Sequence, residues 1–442
     1  MENQIFCTQA GRDFRWNIFM STELGQLYQA IPFSSLATLF PSLSSRGAPG
    51  FFGIEGMIAL QVLKAYLNLS DDKLRQRINT DWALQYFCGI HLGPGQMIKD
   101  KDIVGRCRRY LAEQIDYDAF QEQLASYWST HIQQQSATLM DATSYELAIR
   151  YPTDTKLLWE CCEWLWSLID HWTSELRQPR LRRKQKQVYE RYVAFQKLRR
   201  KPRSRRISIT RSLLRLLKKG LTCWAELKQT YGSTIVLSAR QMLRKLTVEQ
   251  IYDQQLLHFE QPDAKIKDRI VSLSQPWVRP IVRGKEIKKV EFGPKVHLFN
   301  VDGISFVEHF SFDNFNEALR LPATVERHER YFEKCRHLGA DNIYGTNANR
   351  RYCAGMTTTF VPKGRKPKVP DPVVRKLKKQ LRSARAAHME GAIGNEKLHY
   401  GLNRIKATRA DTQKLWIHFG VWTASAVKIA KRISAQQHRQ AA

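Results

Sequence analysis

Apolar positions recur on helical spacing through the first 130 residues. From Gly53 to Tyr66, the residues Ile54, Met57, Ile58, Leu60, Val62 and Leu63 form one broad helical stripe. Asn68-Leu69-Ser70-Asp71-Asp72 then stops that helix and starts another. Ser70 is an N-cap by type, and Asp71 and Asp72 fall in the first turn, where the helix dipole favours anions. Gly93-Pro94-Gly95 breaks the next helix, and Ile103 to Leu111 forms another that carries Arg106, Arg108 and Arg109. Short helices closing on a basic one suit either a helix-turn-helix-like DNA-binding module or a plain helical bundle.

The pattern changes at residue 134. Ser136 to Asp141 is short and apolar with Ser and Thr around it, which predicts a buried strand ending at Asp141. Tyr145 to Tyr151 predicts a second short strand, stopped by Pro152. Residues 155–260 return to helical spacing. Leu157 to Trp166 is apolar on most sides and reads as core. Two strands follow, Lys295 to Val301 and Ile304 to Phe310, separated by Asp302-Gly303, a strong hairpin signal. Asp302 is therefore a turn residue and not a catalytic one. Ala323 to Leu338 predicts a charged helix capped by Gly339, after which Asp341 opens a short element. Residues 361–370 form a basic loop, Asp371 to Glu390 a basic helix loosened at its end by Gly391 and Gly394, and Trp416 to Ile433 a last apolar helix. There is no internal repeat.

Charge narrows the function. The 442 residues carry 71 basic and 41 acidic side chains, a net +30. Such an excess favours a polyanionic partner, nucleic acid before an anionic membrane surface. No apolar run reaches the roughly 18 residues of a spanning helix, and Met1-Glu2-Asn3-Gln4 shows no secretory signal. From Arg177 to Lys219 there are 18 Lys or Arg against one acid, Glu190. That segment peaks at Arg199-Arg200-Lys201-Pro202-Arg203-Ser204-Arg205-Arg206, with Pro202 marking a loop between two helices. Its Arg199, Arg200, Lys201, Arg203, Arg205 and Arg206 are the candidate phosphate contacts, salt-sensitive and without sequence preference of their own. Eight scattered cysteines include no C-x-x-C pair, which predicts free thiols in a reducing cytosol rather than a zinc site.

Three carboxylates carry the candidate chemistry: Asp141 on the first strand, Asp341 near a later short strand and Glu390 on a basic helix, with Lys397 seven residues on. A strand with an Asp, a hairpin, a helix, a second Asp and a helical Glu follow the element order of an RNase H-like domain. In that fold the two Asp lie on adjacent strands with the Glu facing them. Three carboxylates can then hold two Mg²⁺ ions roughly 3.5–4 Å apart, one activating the attacking oxygen and one stabilising the leaving oxygen. Mg²⁺ is hard and takes oxygen ligands.

Several blocks resemble the DDE transposases of bacterial insertion sequences. Ile54-Glu55-Gly56-Met57-Ile58-Ala59-Leu60 with Leu69-Ser70-Asp71 resembles their N-terminal helical domain. Met140-Asp141-Ala142-Thr143 with Tyr151-Pro152-Thr153-Asp154 resembles their first Asp block, and Phe292 to Leu298 the strand after their insertion. Ala340-Asp341-Asn342-Ile343-Tyr344 with Asn347-Ala348-Asn349-Arg350 resembles the second Asp block. Glu390-Gly391-Ala392-Ile393-Gly394 with Lys397 and Tyr400 to Ile405 resembles the Glu block. The resemblance implies that Asp141, Asp341 and Glu390 are the catalytic metal ligands, and that Lys397, Arg404 and Arg385 contact DNA. The pattern departs at Ala386, where relatives often carry an Arg four residues before the Glu and Arg385 is the nearest substitute. It departs also at Ser383, where some carry Tyr, and at Ile393, where many carry a large aromatic.

The expected chain is thus mixed: an all-α N-terminal DNA-binding domain over 1–130, an α/β RNase H-like catalytic domain over 131–155 and 265–442, and a basic helical insertion over 156–264. The resemblance implies a cytoplasmic, nucleoid-associated transposase. It would bind terminal inverted repeats, cleave DNA with two Mg²⁺ (Mn²⁺ tolerated) and join 3′-hydroxyl ends to target DNA as a homodimer in the synaptic complex, with no membrane partner. The alternatives are a catalytically decayed DNA-binding relative and an RNase H-like nuclease without strand transfer. A basic RNA-binding protein is a further rival, for which the ordered Asp and Glu blocks would have no purpose.

Overall fold

Two β-branched and aromatic runs flanking Asp302-Gly303 pair as an antiparallel hairpin, which anchors the sheet. The structure is a computed structural model that describes residues 9–43, 50–93, 95–282, 290–361 and 371–441. Seven strands are described: β1 (Ala137–Ser144), β2 (Pro280–Val282), β3 (Val290–Phe292), β4 (Lys295–Val301), β5 (Ile304–Ser311), β6 (His337–Gly339) and β7 (Thr357–Thr358). Five form one mixed sheet in the order β5-β4-β1-β6-β7, with β2 and β3 a separate ribbon. β1 is central, antiparallel to β4 and parallel to β6. At the β4–β5 turn Asp302 has φ 50° and Gly303 φ 87°, the left-handed pair that a two-residue turn of this hand requires. The Asp302 carboxylate accepts from the Gln133 amide and the Arg432 guanidinium, both at 3.0 Å, a structural role that agrees with reading it as a turn residue.

The chain forms two compact units. One comprises Met1–Leu147 with Pro294–Ala442, the other Ala148–Gly293. The second takes in residues on both sides of the 156–264 span.

In the first unit the N-terminal region is helical. Ser70 caps the helix Asp71–Thr80 by accepting from the Lys73 amide at 3.2 Å. These helices share one core with the hairpin and the C-terminal helix Ala410–Ala441: Phe19, Leu60, Phe120 and Trp128 pack in the same cluster as Phe299, Phe306, Phe419 and Trp422. Arg108, on the helix Ile103–Gln114, is one of the three cations that make this helix look like a DNA reader. It is instead buried, donating to Asp71 at 2.8 and 3.0 Å and to Gln61 at 3.0 Å, with its guanidinium 4.6 Å from the Trp416 ring centre. Arg106 and Arg109 are exposed.

The second unit is built on the helices Asp154–Glu175, Gln185–Lys197, Arg203–Tyr231 and Ala239–Glu260. Trp159 and Trp166 lie in its core, as the apolar run from Leu157 predicts.

Five expectations are corrected. β1 runs three residues past Asp141, because residues through Ser144 keep antiparallel register with β4. Tyr145–Tyr151 is not a strand; only Leu147 makes an isolated bridge, to Ile405. The helix expected to reach Leu338 ends at Tyr331, and His337–Gly339 is β6, paired with β1. Gly339 is therefore not a helix cap: a Cβ there would sit 2.5 Å from Leu139 Cδ2, so this residue is small because β1 packs against it. Last, Gly391 and Gly394 do not end the helix, which continues to His399. The basic loop at 361–370 lies, apart from Val361, outside the described residues.

Among the described residues no helix is long and apolar enough to cross a membrane, and Cys88, Cys107, Cys161, Cys162, Cys223, Cys335 and Cys353 are all free.

Candidate active site and basic surface

Asp141 is the half-exposed position in a strand otherwise buried on both faces around it. Its Oδ1 accepts from the Ala142 amide at 2.8 Å and its Oδ2 from Arg385 Nη1 at 3.2 Å. Burial pushes its carboxyl above the ordinary range. Its backbone hydrogen bond and Arg385 oppose that rise, and the negative charges of Glu317 and Asp341 add to it.

Asp341 stands two residues beyond β6, the strand beside β1, and is exposed. It caps the short 3-10 turn Asn342–Tyr344, its Oδ1 accepting from the Asn342 amide at 2.6 Å. Thr359 fixes the chain just before it, accepting from the Ala340 amide at 2.9 Å and donating to the Ala340 carbonyl at 2.6 Å.

Glu390 sits at the end of a π-helical turn, Arg385–Glu390, set between the α-helices Pro372–Ala384 and Gly391–His399. In an α-helix, residues five apart lie about 140° apart around the axis. A π turn closes its hydrogen bonds over five residues and brings such positions together. That local geometry lets Arg385 Nη2 form an ion pair with Glu390 Oε1 at 2.8 Å while Nη1 donates to Asp141. The turn is tied to the sheet: buried Asn300 of β4 donates to the His388 carbonyl at 3.3 Å and accepts from the Gly303 amide at 2.9 Å. π turns are rare inside α-helices and recur at functional positions.

Lys397 lies on the following α-helix and reaches back to β1. Its Nζ donates to Thr143 Oγ1 at 2.9 Å and to the Ser144 carbonyl at 2.8 Å, 5.4 Å from the Tyr145 ring centre. It therefore ties the Glu390-bearing helix to the strand that carries Asp141. Next to it, Glu396 is fully buried and accepts from the Tyr145 hydroxyl at 2.6 Å. Burial pushes its carboxyl up to about 7, against the opposing pull of that hydrogen bond, Lys428, Ser305 and Lys397.

A polar relay behind Asp141 carries no sequence motif, and periodicity misses it. Glu317 Oε2 lies 3.4 Å from the Tyr344 hydroxyl, and its Oε1 lies 3.3 Å from Lys295 Nζ. The Tyr344 hydroxyl is 2.8 Å from His297 Nε2, and His297 Nδ1 is 3.1 Å from Glu308 Oε2. Arg320 closes the chain, its Nε donating to Glu308 Oε2 at 3.1 Å. Burial alone would raise the Glu308 carboxyl; hydrogen bonds from His297 and Arg320 outweigh it and hold it below the ordinary value. The available signal is polar residues at inward positions of β4 and β5, which periodicity does not distinguish from core.

The carboxylate donor set suits a hard cation such as Mg²⁺, but the resting geometry does not. Among the described residues no group of three or more His, Cys, Asp or Glu side chains is placed to hold a metal ion. Arg385, in contact with both Asp141 and Glu390, provides the positive charge there.

The second unit holds the basic surface. Arg199, Arg200, Lys201, Arg203, Arg205 and Arg206 are all exposed around the connection between the helices Gln185–Lys197 and Arg203–Tyr231. Three of them stand in a helix first turn that contains no acid, where cations oppose the dipole. Nearby in sequence, a cavity of about 660 Å³ is lined by Arg182, Lys184, Arg191, Arg215 and Lys219. Arg191 is held there by Ser208 and Ser212, each at 3.0 Å. Arg404, in the first unit, is exposed.

Neither a curated protein nor a solved structure gives a match to this chain. Residues 17–110, which lie wholly before Asp141, match the family model described as a transposase domain (DUF772), and this supports a transposase family for the chain.

Proposed function

We propose that this protein is a DDE transposase with an RNase H-like catalytic core. In this reading Asp141, Asp341 and Glu390 are the catalytic carboxylates and Mg²⁺ is the cofactor they take. The observation that carries it is the meeting of Asp141 and Glu390, distant in sequence, on one guanidinium. Asp341 follows two residues after the strand paired in parallel with β1, near enough for its charge to raise the Asp141 carboxyl. The sheet order β5-β4-β1-β6-β7 supports the fold assignment, since it sets the two Asp-bearing elements side by side at the centre.

The chain's own residues divide the work. Arg385 and Arg404 meet DNA phosphates near the carboxylates, and Lys397 holds the Glu390 helix to β1. The exposed cations from Arg199 to Arg206 grip the backbone without reading sequence. The N-terminal helices engage the terminal inverted repeats, with Arg106 and Arg109 rather than Arg108 available for contact. The reaction is an in-line displacement at phosphorus, first by water and then by the freed 3′-hydroxyl on target DNA. No side chain becomes covalently attached. Synapsis of two ends requires a homodimer at work, in a reducing cytosol beside the nucleoid.

The test is a strand-transfer assay with labelled duplex carrying the flanks of the element and Mg²⁺, wild type against Glu390→Gln. The expected result is loss of both cleavage and joining with DNA binding retained. Equal cleavage by the two proteins would sink the assignment. Cleavage without joining by the wild type would reduce it to a nuclease.

A further inference from the structure

Arg385 pairs with two carboxylates that the proposed function assigns to a divalent cation. It bridges Asp141 at 3.2 Å and Glu390 at 2.8 Å, and its side chain is largely shielded, with 21% of its surface exposed. Two carboxylates that share one guanidinium are drawn together by its positive charge. A doubly charged ion entering the same space would repel the guanidinium and take the same oxygens. The bridge also depends on the π turn, since Arg385 and Glu390 would diverge around a regular α-helix.

The geometry points to Arg385 as a positioning residue that holds the carboxylates in a closed resting state and yields them only when a DNA phosphate draws its guanidinium away. This rests on the assignment of Asp141 and Glu390 as metal ligands. A DNA phosphate, like a carboxylate, offers two anionic acceptor oxygens to a guanidinium fork, so the guanidinium can exchange one for the other. Metal loading and DNA binding are then coupled. Each favours the other by the same factor, because both require the Asp141–Arg385–Glu390 bridge to open. Free protein takes up metal weakly, and the chemistry is withheld until DNA is in place.

The experiment is an Mn²⁺ titration of the full chain, followed by loss of the free aquo-ion signal in electron paramagnetic resonance, with and without a duplex of arbitrary sequence. Wild type, Arg385→Gln and Arg385→Lys are compared, with Asp141→Asn added to each. The expected result without DNA is binding at least about ten-fold tighter in Arg385→Gln than in wild type. Arg385→Lys falls between, because an ammonium cannot bridge two carboxylates as a planar fork does. Adding duplex tightens wild type by a similar factor and leaves Arg385→Gln unchanged. Asp141→Asn abolishes the gain in every background. Equal Mn²⁺ affinity in wild type and Arg385→Gln, with Asp141→Asn weakening both, overturns the closed-state role and leaves the metal assignment standing. Absence of any Asp141-dependent Mn²⁺ binding, with or without DNA, overturns both.

Discussion

Glu396 gives the sharpest test of the folded state, because its carboxyl is fully buried and lies against few partners. Tyr145, just after β1, donates to it at 2.6 Å, Ser305 of β5 bonds to it, and Lys428 of the C-terminal helix and Lys397 of its own helix bring positive charge near it. Burial still dominates, and its carboxyl titrates at about 7 against an ordinary 4.5. The folded state therefore holds the proton more tightly than the unfolded chain. The stability this group contributes is fully present below about 4.5 and is lost as pH rises through 7. The difference is about 2.5 units (7 minus 4.5), and at about 1.4 kcal/mol per unit the cost is about 3 kcal/mol once both states are ionised. Glu396→Gln keeps the shape and the acceptor for Tyr145 and removes the titration. Urea denaturation at pH 5, 6, 7 and 8 should show wild type and variant converging toward pH 5. The variant should pull ahead by up to about 3 kcal/mol at pH 8. A difference that stays constant from pH 5 to 8 would falsify the account, since a buried carboxyl that ionises cannot leave the pH dependence unchanged.

Two further outcomes follow from the charge arrangement. Arg108→Ala strands Asp71 beside Lys64 and opens the face of Trp416, and should cost about 3 kcal/mol by urea denaturation, the lower end of the range for a broken buried pair because Asp71 keeps some contact with water. Wild-type stability in Arg108→Ala would show that the pair contributes nothing. Replacing Arg199, Arg200, Lys201, Arg203, Arg205 and Arg206 together by Ala should lower the salt dependence of DNA binding, by about 0.9 in the log–log slope for each phosphate that these side chains neutralise in the wild type. An unchanged slope would move the backbone grip elsewhere, with the cavity lined by Arg182, Arg191 and Arg215 the next place to look.

What could be read in the sequence was local. Ser70 as a cap, Asp302-Gly303 as a turn and the tryptophan run as core each depend on residues within a few positions of one another, and each holds. What could not be read depends on partners far along the chain. β1 continues to Ser144 because Val296 and Lys295 of β4 are there to pair with it. The charged helix stops at Tyr331 because Phe332 turns extended and the chain must reach β1 through His337, an outcome set by register rather than propensity. Arg108 reads as a surface cation because nothing nearby in sequence announces Asp71, Gln61 and Trp416 as its neighbours. The polar relay from Glu317 to Arg320 is assembled from β4, β5 and two 3-10 turns, and no spacing rule links them.

The π turn explains why the pattern around Glu390 is displaced without being lost. The DDE transposases that the sequence resembles often carry an arginine four residues before the glutamate, the interval that sets two side chains one above the other on an α-helix. Here that position is Ala386, which is exposed, and the arginine falls five residues before. In an α-helix that offset would turn Arg385 away from Glu390. The turn from Arg385 to Glu390 is π-helical, so five residues do what four do elsewhere, and the guanidinium reaches both Glu390 and Asp141. A one-residue shift in sequence and a one-residue widening of the helix therefore compensate each other. Neither is informative alone: the shift reads as a decayed motif and the widening as an irregular helix. Together they place the cation against the carboxylates, and Asn300, which holds the His388 carbonyl from the hairpin, fixes the turn in that form.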